Sequence, residues 1–515
     1  RDLVRSRGLG DVYKRQVYYW ADPEGYGESY AMTQNYNQLF KWNELTFENP
    51  QYIRYLRITG QANKGLLELG EVALFDLEGN RVNLSASASP LFDEQETVPE
   101  KTTYYDSAYF DEIYHPRTAW EHIRGIEPYE ISHPPLGKLI MGVGIRLFGM
   151  TPFGWRFMGT LFGVGMLPLL YVFLKNLFGR TSIATCGTVL LAADFMHLTQ
   201  TRLATIDTYA FFFILLMYYF MYRYLTLPAG APFRKCALPL FLSGLFWGIG
   251  AASKWTVIYG CTGLVVLYFI GLYQKLRDWP ADGETGARQP GRLKWAFQIL
   301  AFSVLVFALI PAAIYTLSYL PYAWAEGDSS LTGLVGAMWE NQKYMLSYHS
   351  GVTDTHPYSS RWYQWLFDIR PILYYMDNSV PGYTTRFAAF VNPVVCWGGL
   401  LAVLACAAQA VRRRCAKALF IVIGYLAQLV PWFFIGRITF AYHYFPSVLF
   451  LILALCYVFY SLSEQEELIA WKPAMYAVTA GAAALYALFY PVLVGIQIPS
   501  WYGTCLLRWL PSWPF

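Results

Sequence analysis

Residues 154–178 read GWRFMGTLFGVGMLPLLYVFLKNLF, and within them 157–174 carry no charge. A helix needs about 20 apolar residues to cross the ~30 Å hydrocarbon core of a bilayer, where lipid leaves no backbone polar group a partner outside the helix. This run meets the requirement, with Arg156 and Lys175 near its ends. The same reading extends to 183–200, 207–226, 237–252, 254–273, 296–319, 389–410, 417–435, 442–463 and 473–494. Together these segments predict an α-helical polytopic membrane protein with about ten visible spans. Composition agrees: the chain of 515 residues is 55% hydrophobic and 14% charged, against about 25% charged in an average soluble domain.

Basic residues in the short loops orient the spans, because positive charge is retained on the cytoplasmic side. Lys175 and Arg180; Arg223, Arg234 and Lys235; Lys275, Arg277, Arg288, Arg292 and Lys294; Arg412, Arg413, Arg414 and Lys417; and Lys472 fall in alternate loops, which are therefore read as cytoplasmic. The other loops carry single basic residues, Arg202, Lys254 and Arg437, and include one long segment, 320–388. They are read as external, together with everything before the first span. A further helix upstream would put the N-terminus inside and raise the total to eleven. The net charge of +4 is small, so nothing in the balance points to nucleic acid. The eight cysteines show neither a disulfide framework nor metal-ligand spacing.

The chain starts without Met, and residues 1–16 (RDLVRSRGLGDVYKRQ) are basic and do not read as a signal peptide, which needs an apolar core; a non-native segment is expected, with a short basic cytoplasmic tail as the alternative. Residues 17–100 read as an external β-rich segment. YIRYLRITG (52–60) is aromatic and β-branched, and EVALFDLEGNRVNL (71–84) reads as two strands around a Glu78-Gly79-Asn80 turn. This pair resembles the final strands of a discoidin-like β-sandwich, which implies either carbohydrate binding or a structural ectodomain without a ligand.

Directly before the spans lies YFDEIYHPRTAWEHIRGIEPYEISHPPLGK (109–138), which holds the adjacent carboxylates Asp111 and Glu112, three His, two Arg and Lys138. Span interiors are almost free of charge. The ionisable residues gather instead at the ends read as external: Asp111, Glu112, His133, Lys138, Arg156, Arg202, Asp207, Lys254, Arg437 and His443. Charge at one face of a membrane bundle marks a site, although a single Arg at a span end is equally explained by snorkelling to headgroups. In the long loop, Leu331, Leu334, Val335, Met338, Trp339, Met345 and Leu346 fall at helical spacing, as in an amphipathic helix lying in the interface. THPYSSRWYQW (355–365) follows; an aromatic belt explains its rings but not His356, Ser359, Ser360 or Arg361.

A carboxylate pair with scattered cations suits transfer of a sugar from a polyprenyl phosphate. The phosphate leaves without needing a proton, so Arg and Lys suffice to stabilise it. The acceptor hydroxyl must lose its proton as it attacks, which calls for one positioned carboxylate. Direct attack inverts the anomeric centre, and the second acid of a hydrolytic glycosidase is not required.

FDE (110–112), HPPLGK (133–138), GWRFMGTLFG (154–163), TRLATIDTY (201–209), SKWT (253–256), HPYSSRW (356–362) and RITFAYHYFP (437–446), in this order, resemble the protein O-mannosyltransferase family. The resemblance runs from about Tyr109 to the last span. It implies a GT-C membrane domain over 101–515, eleven helices, and a polyprenyl (dolichyl) phosphate mannose donor that is a substrate, with no cofactor. It further implies Asp111 as the base towards a Ser/Thr hydroxyl, Glu112 as a positioning carboxylate, and Arg202, near Asp207, as a phosphate or carrier contact. Lys138, Lys254 and Arg437 are candidates for phosphate neutralisation by placement. Arg361 and His443 are further candidates for the substrate site, and His133 and His356 either bind the sugar or cap loops.

The long loop is too short for the β-trefoil domain of eukaryotic members, which points to a bacterial one. Such an enzyme is expected in the plasma membrane as a multi-pass protein, with its site on the extracytoplasmic side. Exported or membrane proteins would be its acceptors, with coupling to the secretion translocon. A related transferase acting on a lipid or cell-wall polymer would share carrier and base. A secondary transporter would require broken helices with polar groups at the midplane, which the sequence does not display.

Overall fold

The computed structural model describes residues 42, 71–82, 91–92, 95–99, 103–280, 291–352, 355–465 and 471–515, and the backbone of strands in between. The chain forms two compact units, Arg1–Tyr114 and His115–Phe515. The boundary falls after the carboxylate pair, so Asp111 and Glu112 lie in the N-terminal unit.

In the N-terminal unit, β1 (Asp2–Val4) pairs with β5 (Leu67–Leu69), and β2 (Tyr13–Trp20) lies between β3 (Ser29–Gln34) and β4 (Tyr55–Gln61), all antiparallel. The first half of β2 is Tyr13–Gln16, part of the segment expected to be non-native. The strand expected at 52–60 is present as β4 over 55–61; 52–54 and 83–84 lie outside the described residues. The Glu78-Gly79-Asn80 turn is present. Gly79 has φ +81° and Asp76 N–H donates to the Asn80 carbonyl at 2.9 Å, but its arms meet only in a single Phe75–Arg81 bridge rather than two strands.

The second unit is helical. It opens with α1 (His115–Arg124) and α2 (Leu136–Phe148), followed by α3 (Pro152–Phe178). The sequence sets the limits of α3: Thr151 Oγ1 accepts from Gly154 N–H, Pro152 occupies the first turn, where no intrahelical donor is needed, and Gly179 at φ +74° closes it. Next come α4 (Thr181–Ala192) and α5 (Phe195–Arg202), bent by 57°. Asp194 makes this break by accepting from His197 N–H at 2.9 Å to start a new helix. Then follow α6 (Asp207–Leu225), α7 (Phe233–Ser253) and α8 (Thr256–Arg277).

The next span is built from α9 (Arg292–Val304), a π-helical turn, α10 (Ile310–Leu317) and α11 (Leu320–Glu326). The long loop holds α12 (Leu331–Gly351), α13 (Trp362–Trp365) and the antiparallel pair β6 (Ile372–Asp377) and β7 (Tyr383–Ala389). After it come α14 (Gly399–Arg413), α15 (Ala416–Leu429), α16 (Phe445–Ser463) and α17 (Trp471–Val494), then β8 (Gln497–Pro499), which adds to β7.

Among the described residues, eight helices are long and apolar enough to cross a membrane, or nine with the bent pair α4–α5. Each of the ten expected segments falls mainly on helix; that at 183–200 is broken at Ala193–Asp194, and that at 389–410 begins at the end of β7. The Tyr-rich α6 falls outside that count because its five tyrosines, with Asp207 and Arg223 at its ends, lower its hydropathy; most of its residues are buried in the protein. The central helix is α16, buried along nearly its whole length against α14, α15, α4 and α6. Close approach elsewhere depends on glycine: a Cβ on Gly244 of α7 would lie 2.1 Å from the Val306 carbonyl in the π-helical turn.

Candidate active site

Polar side chains converge where the 125–135 loop, the first turn of α6, the α7–α8 junction, the end of α12 and the start of the α16 span meet. Glu130 is the hub. Lys138, fully buried on α2, donates from Nζ to Glu130 Oε2 (2.6 Å), the Glu130 carbonyl (2.7 Å) and the His133 carbonyl (3.1 Å). An ammonium has three donors, so Lys138 is saturated by the loop it was expected to leave free for a phosphate. Glu130 Oε1 receives His133 Nδ1 at 3.0 Å, Ser132 N–H at 2.8 Å and the Ser132 hydroxyl, while His115 Nδ1 lies 3.7 Å from Oε2.

Burial alone would raise the Glu130 pKa; the Lys138 charge, then His133 with the hydrogen bond at its Nδ1 and the nearby His115, outweigh it and hold the carboxylate well below its usual range. Burial pushes His133 down to about 3 against the opposing pull of Glu130, so the ring is neutral and its contact with Glu130 is a hydrogen bond rather than an ion pair.

The Asp207–Lys254 pair forms the second element. Asp207 sits in the first turn of α6, where a carboxylate is favoured by the helix N-terminus. Lys254, at the break between α7 and α8, donates to its Oδ1 at 2.6 Å and lies 5.6 Å from the Tyr442 ring centre. His349 at the end of α12 completes the wall: Nε2 donates to the Ser132 carbonyl at 2.9 Å, and its ring lies 5.5 Å from His133 and 6.0 Å from Trp255. Burial, reinforced by the Arg437 charge, lowers His349 to about 4. Arg437 is half-buried, acts electrostatically on His349 and His443, and has no hydrogen-bond or ion-pair partner among the described residues.

His443 belongs to the same cluster, since Lys254, Arg437 and His133 all act on it. Its Nδ1 meets the Phe440 backbone, and Trp365 stacks on its ring. The 356–365 segment is fastened here by reciprocal bonds between Ser360 and Thr439. His356 packs its ring 5.1 Å from Phe440 and accepts from Tyr358 N–H, a loop-capping position. Arg361 is exposed at the start of α13.

Arg202 lies elsewhere, with its guanidinium 5.3 Å from the Phe387 ring of β7 and 3.5 Å from the Leu493 carbonyl of α17. Asp111 and Glu112 occupy a 3₁₀ turn, Phe110–Ile113, in the N-terminal unit, with Glu112 fully buried. Phe110, just before them, has φ +52°, a left-handed conformation that carries strain of order 1–3 kcal/mol in a non-glycine residue.

Sequence reasoning missed Glu130 and His349. Glu130 was one of several charges in an aperiodic loop, and only the proximity of HPPLGK pointed to it. His349 sits at the end of a helix whose other signals were all interfacial. Among the described residues, no group of three or more His, Cys, Asp or Glu is arranged to hold a metal ion.

Residues 149–325 match the family described as dolichyl-phosphate-mannose-protein mannosyltransferase, and 334–513 match the C-terminal four-transmembrane region of protein O-mannosyltransferase. The polyprenol-phosphate-mannose–protein mannosyltransferase of Mycobacterium tuberculosis H37Rv is 26% identical over 490 residues, covering 84% of this chain and 88% of the relative. The enzyme of the same name from Corynebacterium glutamicum is 24% identical, covering 86% and 92%. The fold is similar to that of the Saccharomyces cerevisiae Pmt1–Pmt2 complex bound to its sugar donor, with a TM-score of 0.66 at 14% identity over 80% of this chain and 90% of that one. The chain is a GT-C membrane glycosyltransferase and belongs to the protein O-mannosyltransferase family.

Proposed function

We propose that the protein transfers mannose, with inversion, from polyprenyl phosphate mannose to Ser/Thr hydroxyls of exported proteins at the extracytoplasmic face of the plasma membrane. The observation that carries this reading is the half-buried Arg437, without a hydrogen-bond or ion-pair partner among the described residues, beside the Lys254–Asp207 pair at one end of a membrane bundle of this family. Such a cation accepts a phosphodiester without first breaking an ion pair. The hydroxyl oxygen attacks C1 of the sugar, the C1–O bond to phosphate breaks, and the phosphate leaves with the electron pair towards Arg437 and Lys254. By the family resemblance, Asp111 is the base that takes the hydroxyl proton, and Glu112 positions the acceptor or the sugar. Neutral His133 and His349, together with the His443 ring, wall the site. The outward orientation rests on the Lys and Arg content of alternate loops.

The test is transfer in liposomes from radiolabelled polyprenyl phosphate mannose to a Ser/Thr-rich peptide. Labelled peptide is expected with the wild type, and a loss of about 10²–10⁴ in kcat is expected for Asp111→Asn. Full activity in that variant would overturn the base assignment. Label found only in lipid or polymer would overturn the acceptor.

A further inference from the structure

The face of α12 divides into three strips. Leu334, Ala337, Asn341 and Met345 form the buried strip, with Leu334 and Ala337 packed against α10 and α11. At about 100° per residue, the adjoining strip is Leu331, Val335, Trp339 and Leu346, all exposed, with Trp339 at 58% and Leu346 at 62%. Glu340, Lys343, Ser347 and Ser350 occupy the far strip, with Glu340 and Lys343 paired at 2.7 Å. A helix with one flank apolar and the next flank charged lies at a water–lipid boundary. Its position fits, because α12 starts four residues (327–330) after a membrane-crossing segment, Arg292–Glu326, ends.

The inner side of the same helix grips the site. Asn341 Nδ2 donates to the Ile131 carbonyl at 2.8 Å, and His349 Nε2 to the Ser132 carbonyl at 2.9 Å, the two residues next to Glu130 and His133. Asn341 is itself oriented by the Tyr319 hydroxyl (2.8 Å). From there a hydrogen-bonded chain runs through Gln342 and Tyr315 to the Trp255 indole, the neighbour of Lys254. The helix therefore joins the two halves of the polar cluster.

We propose that α12 is a bilayer-seated clamp: its Leu331/Val335/Trp339/Leu346 strip embeds in lipid, and Asn341 and His349 act as positioning residues that hold the Glu130–His133 loop in its working geometry. Seating in the bilayer and order in the loop are then one equilibrium.

The experiment has two arms, both in liposomes. In the first, a benzophenone side chain replaces Trp339, Leu346 or Glu340. Adducts to phospholipid are expected at 339 and 346 but not at 340, and adducts to protein at 339 would overturn the proposal in favour of an interface with a second copy. The second arm rests on the transfer reaction proposed above. Trp339→Gln with Leu346→Gln is expected to lower kcat about tenfold with the acceptor KM unchanged, as is Asn341→Ala, and the combination is expected to lose no more than either alone. Glu340→Gln with Lys343→Gln is expected to leave the rate unchanged. Additive losses, or an unchanged rate in the polar-strip-like Gln variants of 339 and 346, would overturn the clamp. Absence of any transfer by the wild type would instead overturn the function on which this arm rests, while the cross-linking arm stands independently.

Discussion

Lys254 Nζ lies 2.6 Å from Asp207 Oδ1, with both side chains less than a tenth exposed. The pair joins the start of α6 to the break between α7 and α8. Removing one partner from a buried ion pair costs about 3–5 kcal/mol, because the other charge is left without compensation, whereas replacing both with apolar groups is often neutral. Lys254→Met is therefore expected to lower the thermal unfolding midpoint sharply. Lys254→Met combined with Asp207→Leu is expected to recover most of it while remaining inactive in transfer. A double variant as unstable as the single one would show that the junction is held by other contacts.

Lys138 is a different kind of cation. Its three acceptors all belong to Glu130 and His133, so its substitution acts on the loop rather than on donor binding. Lys138→Arg is expected to fail like Lys138→Met, since a planar fork does not reproduce a compact ammonium in a fully buried site. The Glu130 pKa is held well below its unfolded value, so its contribution to stability is complete above about pH 4.5 and is lost as pH falls through the folded value. Glu130→Gln is expected to lower the unfolding midpoint at pH 7 and to flatten its decline below pH 4.5, as read by thermal scans across that range.

The spans and the placement of charge at one end were legible because both follow from chain-local rules: about 20 apolar residues per crossing, and charge excluded from the middle. The pairing of those charges was not. Lys138, Lys254 and Arg437 looked alike in the sequence, yet the first is saturated by its own loop, the second is paired with Asp207, and only the third is unpartnered among the described residues. That difference is set by contacts between residues as far apart as 47 positions, as for Lys254 and Asp207. Periodicity carries no record of such contacts. The bend at Asp194 was missed for a related reason: an N-cap Asp inside an apolar run signals a new helix only when the run is long enough to need two.

His122 is buried on α1 with neither ring nitrogen bonded among the described residues, and its ring lies 5.4 Å from that of Tyr322, whose hydroxyl is likewise unbonded among them. Burial, with the Lys138 charge, lowers it to about 3. A histidine kept neutral in the folded state lets the unfolded chain bind more protons as pH drops below about 6.5, so stability falls between there and about 3. His122→Phe removes the unsatisfied nitrogens, each worth about 1–3 kcal/mol. It is expected to raise the unfolding midpoint at pH 7 and to make its decline between pH 6.5 and 4.5 shallower. An unchanged slope would mean the ring is hydrated in solution.

Gly244 of α7 faces the Val306 carbonyl in the π-helical turn Leu305–Leu309. Here the obstacle is backbone, which cannot rotate away as a flexible side chain can. Gly244→Ala is expected to destabilise by about 1–3 kcal/mol, the usual range for overpacking. Because the contact is remote from the polar cluster, the fraction that remains folded is expected to transfer mannose at the normal kcat. A normal unfolding midpoint would mean that the π turn can relax to an α-helical register.

Arg437 is where binding and stability should separate. A residue with no ion-pair or hydrogen-bond partner among the described residues contributes little to the fold, so Arg437→Ala is expected to leave the unfolding midpoint nearly unchanged. If the guanidinium receives the donor phosphate, its loss removes a charge-assisted and often bidentate contact. The expected result is a rise in the donor KM of about tenfold or more, with a further loss in kcat because the leaving phosphate gathers charge in the transition state. Arg437→Lys keeps the charge without the fork and is expected to recover kcat better than KM. The acceptor peptide KM is the control: a rise there, with the donor KM unchanged, would move Arg437 from the phosphate to the polypeptide and leave Lys254 as the cation facing the leaving group.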